Sequence, residues 1–149
     1  MSTESAIETT TSASPTKLAT NGAIAGLAGG LVFGMMMAMM NMLPMVGMLV
    51  RQESSVAGFI VHMAISAILG AIYGVVIGRF PNTATTALVG GIVYGIIWWV
   101  LGALIMMPLM LGMSQMVLVI GQAQWMSMVG HIIFGLVTAF VFIPLAKRS

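Results

Sequence analysis

The stretch NGAIAGLAGGLVFGMMMAMMNML, residues 21–43, decides how this chain folds. It contains no charged residue and is long enough to cross a bilayer, which takes about 20 apolar residues in a helix. Glycines recur at every fourth position from Gly22 to Gly34, so they share one helix face. The stretch therefore predicts a membrane-spanning helix whose glycine face packs closely against a neighbouring helix.

The rest of the chain also has the composition of a membrane protein. Of its 149 residues, 60% are hydrophobic and only 5% are charged, whereas soluble domains carry about 25% charged residues. The formal net charge of +2 comes from five basic and three acidic residues, too few for a nucleic-acid interface. There is no cysteine, which excludes disulfides and thiolate metal sites. We expect an integral membrane protein that binds no nucleic acid.

Four apolar runs fit membrane-spanning helices, which makes the expected fold class all-α with four transmembrane helices. The predicted spans cover residues 21–43, 56–78, 87–107 and 125–146. The segment 109–124 is apolar but broken by glycine and polar residues, which predicts an interfacial or re-entrant piece. Residues 1–20 are half Ser and Thr, which predicts a disordered tail.

The basic residues predict how the bundle is oriented. Those on one side of it are Lys17, Arg79, Lys147 and Arg148. Only Arg51 falls on the other side. Cytoplasmic loops carry the excess of Lys and Arg, so both termini are expected in the cytoplasm, with segment 109–124 facing outward. The expected location is a prokaryotic cytoplasmic (inner) membrane.

The first pair of spans, residues 21–78, resembles the second pair, residues 87–146. The strings at 30–34 (GLVFG) and 91–95 (GIVYG) match, and each second helix carries one histidine followed by small residues at four-residue steps. Each pair has two spans, so both pairs cross the membrane in the same order. Two tandem two-helix repeats of this kind predict a pseudo-twofold axis along the membrane normal.

His62 and His131 are the only histidines, and they occupy matching positions in the second and fourth spans. Each lies about 9 Å below the start of its helix, at 1.5 Å per residue. Each shares a face with small residues, so the two imidazoles are expected to face each other inside the bundle. Ionisable residues inside a membrane often have a function. The alternative is structural: a neutral imidazole that bonds a backbone carbonyl or Asn41.

This arrangement resembles that of the b-type cytochromes of membrane complexes, where histidines of the second and fourth helices hold haem. The resemblance, one of arrangement and not of family, implies one haem b between His62 and His131. The glycines that would leave space for its ring are Gly30, Gly34, Gly91 and Gly95. Those cytochromes usually carry two histidines on each ligand helix and bind two haems, so this chain could hold one at most.

The methionines predict a second kind of site. The chain has 17, and each one after the initiator lies in the predicted outward half. Thioethers are soft ligands that select Cu(I), and Met-x-x-Met spacing recurs through both halves. The candidate copper ligands are His62, His131, Met42, Met45, Met48, Met110 and Met113. The alternative is that methionine is an apolar filler, suited to adaptable interfaces.

Enzymatic and transport motifs are missing from the sequence. It has no phosphate-binding loop, no HExxH and no Gly-x-Ser-x-Gly, and no Asp, Glu, Lys or Arg inside a predicted span for a proton relay. We therefore expect no enzyme, but a small accessory subunit of a larger respiratory or photosynthetic membrane complex, with haem b for electron transfer. The alternatives are a Cu(I)-handling protein and a cofactor-free structural or assembly subunit. The expected partners are lipid, other membrane subunits or further copies of the chain, and a quinone.

Overall fold

The structure, a computed structural model, describes residues 14–148. Within that range all regular elements are helical, and four helices are long and apolar enough to cross a membrane. The elements in chain order are α1 (Pro15–Met39), α2 (Leu43–Gly47), α3 (Ser55–Ile77), α4 (Ala84–Trp98), α5 (Met107–Met110) and α6 (Gln122–Lys147). The prediction of four such helices is confirmed, and the predicted spans correspond to α1, α3, the run Ala84–Met110 and α6.

The first span begins earlier than the sequence predicts. The Ser14 side chain accepts a hydrogen bond from the Lys17 amide, and Pro15 occupies the first helical position. Both features start helices, because Ser satisfies a free amide and Pro has none to satisfy. Residues 15–20 are therefore helical and are not part of a tail. The remainder of the predicted tail, residues 1–13, lies outside the described range.

The chain between α1 and α3 folds onto the start of α3. Asn41 adopts a left-handed backbone with φ 54° and ends the first helix, and α2 follows. A methyl group on Gly58 would lie 2.6 Å from the Leu43 carbonyl carbon and 3.2 Å from the Gly47 amide. This close approach holds α2 against α3 at the end of the bundle that carries Arg51, which we call the Arg51 end.

The third span changes its helical geometry halfway. After α4 the backbone forms a π-helix over Trp99–Met106, in which the Met107 amide bonds the Gly102 carbonyl, and then continues as α5. Pro108 has no amide proton for the Leu104 carbonyl, and that carbonyl accepts from the Leu118 amide at 3.0 Å. The predicted interfacial or re-entrant segment 109–124 comprises the end of α5, a short 3₁₀ turn at Ser114–Met116, irregular backbone and the start of α6, and it turns back to the end of its own span.

Small residues bring the helices together in two close pairs. A methyl group on Gly70 of α3 would lie 2.6 Å from Gly26 Cα of α1, and one on Gly91 of α4 would lie 2.8 Å from the Gly135 carbonyl of α6. The pairs α1–α3 and α4–α6 are joined by contact between α1 and α6. The predicted use of the glycine faces in helix packing is confirmed at these positions.

Candidate functional site

A cavity of about 390 Å³ lies inside the bundle at the Arg51 end. Its walls come from α1, α3, the third span and α6, and α2 with the residues after it contributes to the same lining. It forms where α3 and α4 are joined by side chains and not by close backbone packing. The Tyr94 hydroxyl donates to the Leu69 carbonyl, and the Tyr73 and Tyr94 rings meet edge to face at 5.1 Å.

His62 reaches this cavity from α3 and is held by α1. Its Nε2 lies 2.9 Å from the Gly30 carbonyl oxygen. A carbonyl can only accept, so Nε2 carries the proton and Nδ1 of the neutral imidazole carries a lone pair. The Cδ2 edge of the ring faces Gly34, which turns the opposite edge, with Nδ1, away from α1.

His131 reaches the cavity from α6 and is held by its own helix. Its Nδ1 lies 2.8 Å from the Ser127 carbonyl oxygen and 3.3 Å from the Ser127 hydroxyl. Nδ1 must then carry the proton, which leaves the lone pair on Nε2. Some polar side-chain atoms of the described chain are fully buried without a hydrogen-bond partner, but His62 Nδ1 and His131 Nε2 are not among them. Both histidines line the cavity.

Phe33 stands against both imidazoles. Its ring centroid lies 5.4 Å from that of His62 and 4.9 Å from that of His131, in edge arrangements. The ring is 4% exposed and packs on Gly130 of α6, where a methyl group would lie 2.8 Å from Phe33 Cζ. The two histidines are thus brought to one site with an aromatic ring in contact with each.

The predicted copper ligands divide into two groups. Met42, Met45 and Met110 line the cavity, whereas Met48 and Met113 do not. The cavity-lining methionines that sequence reasoning did not select are Met37, Met106 and Met107. Met107 is three residues before Met110, so the Met-x-x-Met spacing carried a signal for it. The cavity therefore collects thioethers from both halves of the chain.

The four glycines predicted to leave space for a haem ring are covered by neighbouring helices. A methyl group on Gly34 would lie 2.9 Å from the Phe59 ring, and one on Gly30 would collide with the Ser66 side chain. On the other pair, Gly91 faces the Gly135 backbone, and a methyl group on Gly95 would lie 2.9 Å from the His131 carbonyl carbon. In this arrangement the residues do not fit a haem between the histidines.

Trp98 lines the cavity with its ring, but its indole N–H does not open onto the cavity. Its indole N–H is buried and has no acceptor at hydrogen-bonding geometry in the described chain. The ring packs edge-on against Tyr94 at 6.0 Å, whereas the next residue, Trp99, donates to the Gln124 carbonyl at 2.9 Å. Sequence reasoning did not select Trp98, because which of two adjacent tryptophans lines the cavity depends on how the third span is rotated in the bundle; Trp99 is also buried but lies outside the lining.

The cavity is electrically neutral. No Asp, Glu, Lys or Arg side chain lines it, and the described residues contain no group of three or more His, Asp or Glu side chains that could hold a metal ion. Hard cations such as Mg²⁺ and Ca²⁺ bind through carboxylate oxygens, so this lining does not suit them. Its polar atoms are imidazole, hydroxyl and amide groups.

Comparisons with known proteins assign no family. The chain matches no protein-family model, and no curated protein or solved structure is significantly similar to it.

Proposed function

We propose that this chain is a small non-enzymatic accessory subunit of a larger respiratory or photosynthetic membrane complex, and that it binds an apolar molecule of the quinone class. The observation that carries the proposal is the cavity of about 390 Å³ with a largely apolar lining and a few polar groups. Pockets for small organic ligands have about this size and this kind of lining. A bare metal ion would need far less space.

The outer surface of the bundle supports the accessory role. Apolar side chains such as Ile60, Ile68 and Val89 are more than half exposed on the spans, where lipid or another membrane subunit would cover them. The connections between spans are short, and within residues 14–148 no element forms a domain outside the bundle. A protein of this shape acts within the membrane, through a bound ligand or through its neighbours.

We also infer the finer features of the fold from the same packing. The two close pairs, α1–α3 and α4–α6, support two tandem repeats with a pseudo-twofold axis along the membrane normal. The excess of basic residues at the end opposite Arg51 supports cytoplasmic termini in a prokaryotic inner membrane. The cavity then opens toward the outer face.

Cu(I) is the second candidate ligand. Thioethers of Met42 and Met45 from one half, and of Met106, Met107 and Met110 from the other, line the cavity with two imidazoles. Thioether and imidazole ligands suit this soft monovalent ion. Neutral ligands also suit a single charge better than a double one, because a buried charge without an anionic partner is costly.

The haem b prediction receives less support. A haem between His62 and His131 would require the helices to separate at the glycines they now share. A reduced-minus-oxidised absorption spectrum of the purified protein decides the matter. We expect no b-type band, and a band lost in His131→Leu would restore the electron-transfer role.

Filling the cavity tests the proposed function. Gly102 lines it, and a methyl group there would meet no atom within 4 Å. Gly102→Leu is therefore expected to occupy the space and reduce binding of a decyl-benzoquinone probe at least tenfold, without loss of fold. Leu101→Phe is the matched control, since Leu101 is 43% exposed and outside the lining. Equal binding by both variants, or no binding by the wild type, would contradict the proposal and leave a cofactor-free structural subunit.

The copper candidate has its own test. In anaerobic competition with a Cu(I) chelator, Met42→Leu/Met45→Leu is expected to weaken copper binding more than Met48→Leu/Met113→Leu. The reason is that only the first pair lines the cavity. Weak binding by the wild type, or equal loss in both double variants, would remove copper from consideration at this site.

Purification tests the accessory role. A tagged chain is extracted from native membranes with a mild detergent, and the proteins that remain bound are identified by mass spectrometry. We expect defined membrane subunits in fixed ratio, retained in the Gly102→Leu variant. Recovery of the chain alone would contradict the accessory role and leave the ligand proposal standing.

A further inference from the structure

We infer that the ligand of the cavity presents a hydroxyl group, so that the site prefers a hydroquinone to the corresponding quinone. This inference rests on the proposed function, which supplies an apolar ligand but does not state its oxidation state. It follows from the direction of two hydrogen bonds, at His62 and His131.

Both imidazole N–H groups are already used by backbone carbonyls. His62 donates from Nε2 to Gly30, and His131 donates from Nδ1 to Ser127. A neutral imidazole has a single N–H, so neither ring has a proton left for a ligand. What each ring offers to the cavity is a lone pair, on Nδ1 of His62 and on Nε2 of His131.

A lone pair in an apolar cavity needs a donor. An apolar ligand that fills the cavity covers both acceptors, and a covered acceptor without a partner costs the free energy of its desolvation. A ligand hydroxyl donates to the lone pair and removes that cost. The carbonyl oxygen of a quinone cannot, because it would bring a second acceptor against the first.

Trp98 does not reverse this preference. Its indole N–H is fully buried beside the Tyr94 ring, so it is not exposed to a ligand in the cavity. The indole ring offers both forms the same apolar surface, whereas the two histidines distinguish between them.

The experiment compares three probes of nearly equal shape. Decyl-benzohydroquinone, decyl-benzoquinone and the dimethyl ether of the hydroquinone are titrated anaerobically into the full chain in lipid nanodiscs, with tryptophan fluorescence as the readout. Gly102→Leu, in which the cavity is filled, provides the background from partition into lipid. We expect the hydroquinone to bind at least tenfold tighter than the other two, because sites that hydrogen-bond a hydroxyl discriminate strongly against analogues without one.

His131→Leu is the variant that tests the cause. Its N–H is satisfied within α6, so its loss breaks no bond between helices, whereas His62 connects α3 to α1. Hydroquinone affinity is expected to fall by about tenfold while quinone affinity stays within about twofold. Trp98→Phe is the contrast: it alters the cavity lining without removing an acceptor, so we expect the ratio of the two affinities to stay unchanged.

The outcomes separate the two proposals. Equal or tighter binding of the quinone by the wild type would overturn the preference for a hydroxyl and leave the cavity as a site for apolar ligands. Failure of all three probes to bind above the Gly102→Leu background would overturn the proposed function itself. Parallel loss of both probes in His131→Leu would show that this histidine shapes the cavity and does not select the ligand.

Discussion

Two helix contacts that would be equivalent under the predicted repeat differ in this structure: α1 with α6, and α4 with α3. A methyl group on Gly29 of α1 would lie 2.7 Å from the Phe134 carbonyl of α6. At the matching position of α4, a methyl group on Gly90 would meet the Tyr73 hydroxyl at 3.6 Å, an ordinary contact. The backbones of α1 and α6 therefore approach each other closely, whereas the Tyr73 side chain separates α3 from α4.

The difference teaches how a cavity arises in a bundle of small residues. A glycine allows close approach only where its partner is also small. On α6, Gly130 leaves room for the Phe33 ring of α1 to lie against its backbone, whereas the matching aromatic of α4, Tyr94, donates to the Leu69 carbonyl of α3 and keeps the two helices apart. The cavity lies next to this open contact, since Leu69 lines it, so a few bulky residues determine where a ligand can bind.

The largest effect is expected where two backbones touch. A methyl group on Gly70 would lie 2.6 Å from Gly26 Cα, and a backbone cannot move aside as a side chain can. Gly70→Ala should therefore destabilise the protein by about 3 kcal/mol or more, measured by unfolding in a detergent–SDS titration. Gly102→Ala is the control, since the space around it is open. Similar stability of both variants would mean that α1 and α3 do not approach this closely.

The next prediction tests the comparison directly. Gly29→Ala should destabilise the protein by about 2 kcal/mol, because its methyl group meets the Phe134 carbonyl. Gly90→Ala should be neutral or stabilising by up to about 1 kcal/mol, because alanine favours helix and finds room. The same SDS titration measures both. Equal losses in the two variants would show that α3 and α4 are as closely packed as α1 and α6.

A smaller effect is expected at the bond that spans the open contact. Tyr94→Phe removes the hydroxyl that donates to the Leu69 carbonyl and should lower the free energy of unfolding by about 1 kcal/mol. It should also raise the exchange rate of a bound probe, because α3 and α4 are less firmly connected. An unchanged stability would indicate that ring packing with Tyr73 alone keeps the helices in place.

The smallest effect is expected at methionines outside the cavity. Met48→Leu and Met113→Leu should change stability and probe affinity by less than a measurable amount, since neither residue lines the cavity. Met45→Leu, which alters the lining, should change probe affinity by about two- to threefold at similar stability. Titration of decyl-benzohydroquinone measures all three. A strong effect of Met113→Leu would move the site toward the loop after α5.

Part of the site could be predicted from sequence because helical periodicity is local. His62 shares a face with Ser66 and Gly70, and His131 shares one with Gly135, so their inward direction follows from 3.6 residues per turn. Helical periodicity did not predict which aromatic residues contact the two histidines. The contact of Phe33 with both rings depends on how α1, α3 and α6 are rotated against each other, and the place of Trp98 in the cavity lining depends on the rotation of the third span.

The sequence by itself determined the class of the protein and its spans, because a run of about 20 uncharged apolar residues has no other solvent than lipid. It also determined that glycine faces would join the helices, because apolar helices in lipid associate through close packing. Which helix faces pack closely, and that methionines of both halves line one cavity with the two histidines, became visible only in the folded bundle. Such choices depend on the volumes of side chains far apart in sequence, which meet only when the bundle has formed.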